Sequence, residues 1–231
     1  MSVRPTTCVV VLSGGLDSAV LLWHLKRDGH AKRCVTINYG QRHACELQAA
    51  QRLASLAELP HDLVDLRALA HAWPGSSQTD ASIEVPLGHY QDATMRATVV
   101  PNRNMLLLSV ALGVACAHDL DAVAYGAHSG DHAIYPDCRP EFVAAMQHAA
   151  ALCDYKPREL LAPFAGMTKG QIVRLGFELG VPFEETWTCY KGQREGLDGH
   201  MHCGQCGACT ERRMAFAEAG VEDPTIYASL A

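Results

Sequence analysis

A glycine-rich loop is the feature that most restricts the folds open to this chain. Residues 8–12 (Cys-Val-Val-Val-Leu) are continuously apolar, the pattern of a parallel strand covered on both faces. Ser13-Gly14-Gly15-Leu16-Asp17-Ser18 follows directly, and Ala19, Leu22, Trp23 and Leu25 then recur at helical spacing. A strand that turns through two glycines into a helix presents consecutive backbone N–H groups and hydroxyls where the helix dipole is positive, which suits a polyphosphate. A bare Gly-Gly could equally be a tight turn with Asp17 or Ser18 as helix cap. Three hydroxyl or carboxylate side chains around the glycines favour the phosphate role. A Walker A loop would carry a lysine and a longer spacing, and both are missing, so γ-phosphate transfer is not the expected chemistry.

The rest of the chain continues the alternation. Gly29 is placed to close the first helix in the left-handed conformation. Residues 34–38 predict a second strand, 42–59 an alanine-rich helix stopped by Pro60, and 61–65 a third strand, which together predict an α/β fold with a doubly wound, mainly parallel sheet. Periodicity fades over residues 73–101, where Pro, Gly and Ser accumulate, and a mobile loop is expected there. Residues 104–118 return to an apolar helix, and a strand over 121–126 leads into a polar turn at 127–132, the kind of strand end where open sheets place ligands. A further helix is expected over 141–153. Thr168-Lys169-Gly170-Gln171 is a capping box for a helix ending at Gly180. The expected division is a nucleotide-binding domain over 1–186 and a zinc-binding segment with a last helix over 187–231.

The formal charge of -6 gives no broad basic surface for nucleic acid or anionic lipid, and no run of 18 apolar residues exists. A small-molecule substrate and a cytoplasmic location are expected, with neither nucleic acid nor membrane as partner. Ten cysteines are present, and six of them (8, 34, 45, 116, 138, 153) are scattered singly as free, mostly buried thiols. Cys189, Cys203, Cys206 and Cys209 instead form a Cys-x13-Cys-x2-Cys-x2-Cys set. Four soft ligands on short knuckles suit tetrahedral Zn²⁺ with no open position, hence a structural ion. An iron–sulfur cluster is the serious rival. With four cysteines available, His200 and His202 are expected to face solvent or substrate.

The six loop residues match the PP-loop of the ATP-pyrophosphatase superfamily, whose fold is adenine nucleotide alpha hydrolase-like. Along its whole length the chain resembles the 7-cyano-7-deazaguanine synthase family of queuosine precursor biosynthesis. The resemblance rests on residues 13–18, Asn38-Tyr39-Gly40-Gln41-Arg42-His43, Val100-Pro101-Asn102-Arg103-Asn104, Gly130-Asp131, Tyr135-Pro136-Asp137-Cys138, Thr168-Lys169, the cysteine set and Asp223-Pro224-Thr225-x-Tyr227. It implies a ligase that forms a C–N bond, turning 7-carboxy-7-deazaguanine and free ammonium into the nitrile by way of an acyl-adenylate and an amide. ATP is then the co-substrate, Ser13, Gly14, Gly15, Leu16, Asp17 and Ser18 hold its phosphates, and Asp17 is a candidate Mg²⁺ ligand. Lys169 and Arg103 are the candidate catalytic cations near the reacting phosphorus; both sit at helix starts, where a cation opposes the dipole and calls for an anionic partner. Asp131 and Asp137 are the candidate carboxylates for the N1–H and 2-amino group of the base, against the plainer role of capping turns. His128 and His132 with Asp131 lack a fourth ligand and read as polar loop residues. The family resemblance also suggests a homodimer. The alternatives are another adenylating PP-loop enzyme such as a tRNA thiolase, and a zinc-stabilised nucleotide-binding module without turnover.

Overall fold

The computed structural model describes residues 6–42, 44–72, 75–80, 82–88, 96–131, 135–191 and 201–228. Five strands, β1 (Cys8–Val11), β2 (Ala31–Asn38), β3 (His61–Asp65), β4 (Ala122–Ala124) and β5 (Glu159–Leu161), pair in parallel in the order β3-β2-β1-β4-β5. Helices α1 (Leu16–Arg27), α2 (Ala44–Leu56), α3 (Arg103–Ala117), α4 (Pro140–Leu152), α5 (Lys169–Glu178) and α6 (Gly207–Ala219) cover the two faces. The doubly wound α/β architecture expected from the alternation is present.

Strand periodicity divides the core. Cys8, Val10 and Leu12 point to one face, where α1, α2, α5 and α6 supply Leu21, Leu53, Ile172 and Phe216. Val9 points to the other, with Val35 and Val123, against Leu108 and Leu112 of α3 and Met146 of α4. This two-sided burial is why β1 is apolar without alternation. Burial pushes the Cys8 and Cys34 thiols up to about 12, so they act as small hydrophobes. Cys138 is also buried, Cys45 and Cys116 are half-buried, and Cys153 is exposed.

The ends of elements follow the sequence closely. After α1, the Gly29 N–H donates to the Lys26 carbonyl (3.0 Å) and the His30 N–H to that of Leu25 (2.8 Å), a Schellman closure with Gly29 at φ +73. The Thr168 and Gln171 capping box is formed at the start of α5. Strand β5 was not anticipated: three residues between Pro157 and Pro163 carry too little pattern, and only pairing with β4, Val123 opposite Leu160, makes them a strand. Within residues 73–101, Ser76, Ser77 and Gln78 are buried, and the Ser77 N–H donates to the Ala97 carbonyl at 2.7 Å. Among the described residues no helix is long and apolar enough to cross a membrane.

Candidate active site

Strand β1 is the switch point of the sheet: β2 lies on one side of it and β4 on the other, and each returns through helices on a different face. The C-terminal ends of strands at such a point open a crevice. Here the crevice is a cavity whose floor is Ser13, Gly15, Asp17 and Ser18.

The loop is pre-organised by its own hydroxyls. Ser18 Oγ donates to the Gly15 carbonyl (3.0 Å), accepts from the Ser13 N–H (3.2 Å) and lies 3.0 Å from Ser13 Oγ. Gly15 is the N-cap of α1 and no side chain caps that end, so the first-turn N–H groups stay available to an anion. Gly14, at φ +87, lets α2 approach until the Glu46 carbonyl oxygen and the Ala50 N–H sit where a Cβ would be. Gly126, after β4, has Asp17 backbone only 3.3 Å from its own missing Cβ position, so this glycine brings the two loops together.

Asp17 is the centre of a charged cluster. Its Oδ2 lies 3.6 Å from Lys169 Nζ and 3.9 Å from His128 Nε2, and Lys169 Nζ also reaches Glu211 Oε2 of α6 at 2.6 Å. Among the described residues Asp17 Oδ1 is buried with no hydrogen-bond partner. A buried carboxylate oxygen left open beside a phosphate-binding loop fits a hard divalent cation that also takes phosphate oxygens. His128 is no ordinary loop residue: it is 1% exposed, and its Nδ1 accepts the Gly130 N–H at 3.1 Å, which aims Nε2 at Asp17.

Arg103 opens α3 at the far wall. Burial works against its charge, while Tyr39, Tyr190 and Tyr135 around it hold the guanidinium protonated; its carbon lies 5.9 Å from the Tyr135 ring centre. Facing it is Glu46, in the first turn of α2, a residue the sequence reading passed over because an acid there is an ordinary helix-start residue. Burial raises the Glu46 carboxyl to about 7, with Arg103 pulling in the opposite direction. Gln78 Nε2 and the Tyr125 hydroxyl, both on the cavity wall, are buried without partners among the described residues. Such orphans are costly in an apolar interior and natural where a polar ligand completes them.

Of the two candidate base-reading carboxylates, Asp137 lies elsewhere. Asp137 Oδ2 accepts the Asn104 N–H at 2.9 Å and so caps α3, which has no cap of its own at Asn102; it does not line the cavity. Asp131 ends a short turn, Ser129–Asp131, and its side chain, like His43, His132 and His200, falls outside the described positions. Gln41 braces the turn after β2, accepting from the Tyr39 N–H (2.9 Å) and donating to the Ile37 carbonyl (3.3 Å).

The four cysteines form a second centre beside the first. Cys189, Cys203, Cys206 and Cys209 are buried, and their sulfur atoms all lie within 4.8 Å of one another. A tetrahedral ion at thiolate distance separates its sulfurs by about 3.8 Å, close to the 3.9 Å between Cys203 and Cys209 and the 3.4 Å between Cys206 and Cys209. The N–H groups of Gln205 and Cys206 donate to Cys203 Sγ (3.4 and 3.3 Å) and that of Cys203 to Cys189 Sγ (3.3 Å), contacts that favour thiolates. The centre supports the loop directly, since the Trp187 N–H donates to the Gly14 carbonyl at 2.8 Å. His202 is not at solvent or substrate: it is 3% exposed, stacked on Trp187 at 4.4 Å, and its Nε2 accepts the Thr188 N–H. Arg212 of α6 ties the segment down, fully buried and bonded to Thr186 Oγ1 (2.7 Å), the Phe183 carbonyl (3.0 Å) and Asp223 (3.2 Å).

A family model described as "Queuosine biosynthesis protein QueC" matches residues 7–220. The chain belongs to that family. Among relatives of QueC type, the 7-cyano-7-deazaguanine synthase of Marinobacter nauticus is 49% identical over 96% of this chain and 98% of its own, and that of Hahella chejuensis 45% over 99% and 96%. Among solved structures, NMN synthetase from Francisella tularensis shares the fold at 15% identity, with a TM-score of 0.50 over 95% of this chain and 79% of its own. Membership in the QueC family goes against the tRNA-thiolase alternative.

Proposed function

We propose that this protein is an ATP-dependent 7-cyano-7-deazaguanine synthase acting on 7-carboxy-7-deazaguanine and ammonia. The observation that carries the proposal is the single cavity that joins the residue 13–18 loop, with its Asp17–Lys169 cluster, to a polar aromatic wall around Arg103, in a chain of the QueC family.

A carboxylate is a poor electrophile because its oxygen cannot leave. Attack of that oxygen on the α-phosphorus of ATP releases pyrophosphate and makes AMP the leaving group; ammonia then displaces AMP and gives the amide. A second attack, by the amide oxygen, followed by loss of AMP and protons, leaves C≡N. Both rounds use the same grip. The backbone N–H groups and hydroxyls of residues 13–18 hold the leaving pyrophosphate, and Lys169, fixed between Asp17 and Glu211, places a positive charge at its edge. Arg103 supplies the second cation. Mg²⁺ fits at Asp17 Oδ1 and would neutralise phosphate charge when bound.

Zn²⁺ is the ion we assign to Cys189, Cys203, Cys206 and Cys209, because one tetrahedral ion accounts for the close sulfur spacing, whereas a four-iron cluster would spread its thiolates to its corners. Reduced thiolates and ATP supply fit a cytoplasmic protein. The test is turnover: purified protein with ATP, Mg²⁺, ammonium and 7-carboxy-7-deazaguanine yields the nitrile by mass spectrometry, and unchanged substrate under saturating ATP refutes the proposal.

A further inference from the structure

Among the described residues three carboxylates line the cavity, and two are already engaged by Lys169. Asp17 lies 3.6 Å from Lys169, and Glu211 lies 2.6 Å from it. Glu46 is the third. Among the described residues its carboxylate accepts no hydrogen bond and has no cation within 4.0 Å, although it is buried enough for its proton affinity to rise. The groups that face it are Arg103 from α3, Tyr39 from the end of β2 and the neighbouring Cys45.

Gln78 comes to the same cavity from another part of the chain. The Arg42 N–H donates to the Gln78 carbonyl at 2.8 Å, and an Arg42 guanidinium nitrogen reaches the Ser77 carbonyl at 3.4 Å, so the 76–78 strap is docked one turn before Glu46. Gln78 is 3% exposed, and among the described residues its Nε2 has no acceptor. The cavity therefore carries an open carboxylate and an open amide donor.

We propose that Glu46 and Gln78 are the specificity-determining pair for the base: the Glu46 carboxylate accepts from its N1–H and 2-amino group, and the Gln78 amide donates to its O6. This inference rests on the substrate proposed above. A carboxylate and an amide N–H lining one cavity supply the complement of guanine's donor, donor, acceptor edge. The raised proton affinity of Glu46 agrees with a half-buried carboxylate that awaits donors.

The experiment compares wild type, Glu46→Gln and Gln78→Leu on 7-carboxy-7-deazaguanine and on the analogue that lacks the 2-amino group. Thermal melts and bound zinc establish that each variant is folded. Loss of a hydrogen bond to a charged group weakens binding by about 10- to 100-fold, so Glu46→Gln raises KM for the base by that factor and leaves KM for ATP within about threefold. The wild type loses affinity for the analogue, whereas Glu46→Gln no longer distinguishes it from the full base. Gln78→Leu raises KM for both bases together. A rise in KM for ATP alone, which would set Glu46 against the adenine amino group, overturns the inference, as does full retention of 2-amino discrimination in Glu46→Gln. Wild-type turnover separates the two levels: with turnover intact, these outcomes count against the pair only, and without it the substrate proposal falls and the pair with it.

Discussion

Replacing Gly14 by alanine tests how the nucleotide loop is built. At φ +87 a Cβ is strained by about 1–2 kcal/mol. It would also collide with the Glu46 carbonyl oxygen and lie 2.9 Å from the Ala50 nitrogen. Both are backbone atoms inside α2, so the clash cannot be relieved by rotating a side chain, and overpacking of this kind costs about 1–3 kcal/mol more. Gly29 isolates the first part: its φ is +73 and nothing lies within 4 Å of the added methyl. At about 2–4 °C per kcal/mol for a chain of this size, Gly29→Ala should lower Tm by about 2–8 °C and Gly14→Ala by about 4–20 °C. Calorimetry on both variants reads the difference directly. Because relief requires α2 to move off the loop, Gly14→Ala should also weaken ATP binding in titration calorimetry, while Gly29→Ala should not. Equal Tm shifts in the two variants, or wild-type ATP affinity in Gly14→Ala, would refute the claim that α2 seats on the loop through this glycine.

Lys169→Ala leaves Asp17 and Glu211 without their shared cation, and kcat should fall by about 100- to 1000-fold, more than the KM for ATP rises; a loss below tenfold removes Lys169 from the catalytic set. Plasma emission analysis should find about one zinc per chain, the load a single four-thiolate site takes, and Cys206→Ser should cost folding and not only turnover; iron with visible absorbance speaks against zinc. The Glu46 carboxyl is raised from 4.5 to about 7 in the folded protein, so the folded state holds its proton more tightly than the unfolded state does. Its contribution is full below pH 4.5 and is lost as pH rises to about 7, so stability should fall across that window. Glu46→Gln should flatten this slope in urea titrations between pH 5 and 7.5, and an unchanged slope would place the effect in another group.

The local elements were legible because each rests on near neighbours in the chain. Helix starts at Leu16 and Lys169, the Gly29 closure and the parallel strands follow from apolar runs, caps and glycines within a few residues of one another. The phosphate loop and the cysteine quartet were legible for the same reason, as compact motifs with one dominant chemistry. Strand β5 was not, since three residues carry no period until β4 pairs with them.

The sequence by itself determined that a phosphate grip follows β1 and that four thiolates share one site, because spacing alone brings those atoms together. Only the tertiary structure decided which distant side chains meet at the cavity. His128 beside Asp17, Glu211 on Lys169, and Glu46 with Gln78 in the cavity that Arg103 also lines come from separate elements, and no pattern along the chain marks them. The same geometry shows the Asp137 carboxylate at the start of α3, at an N–H that the helix leaves unsatisfied. A helix end is a local demand that any nearby carboxylate can meet, whereas a ligand pocket is a meeting of remote residues that exists once the sheet has closed.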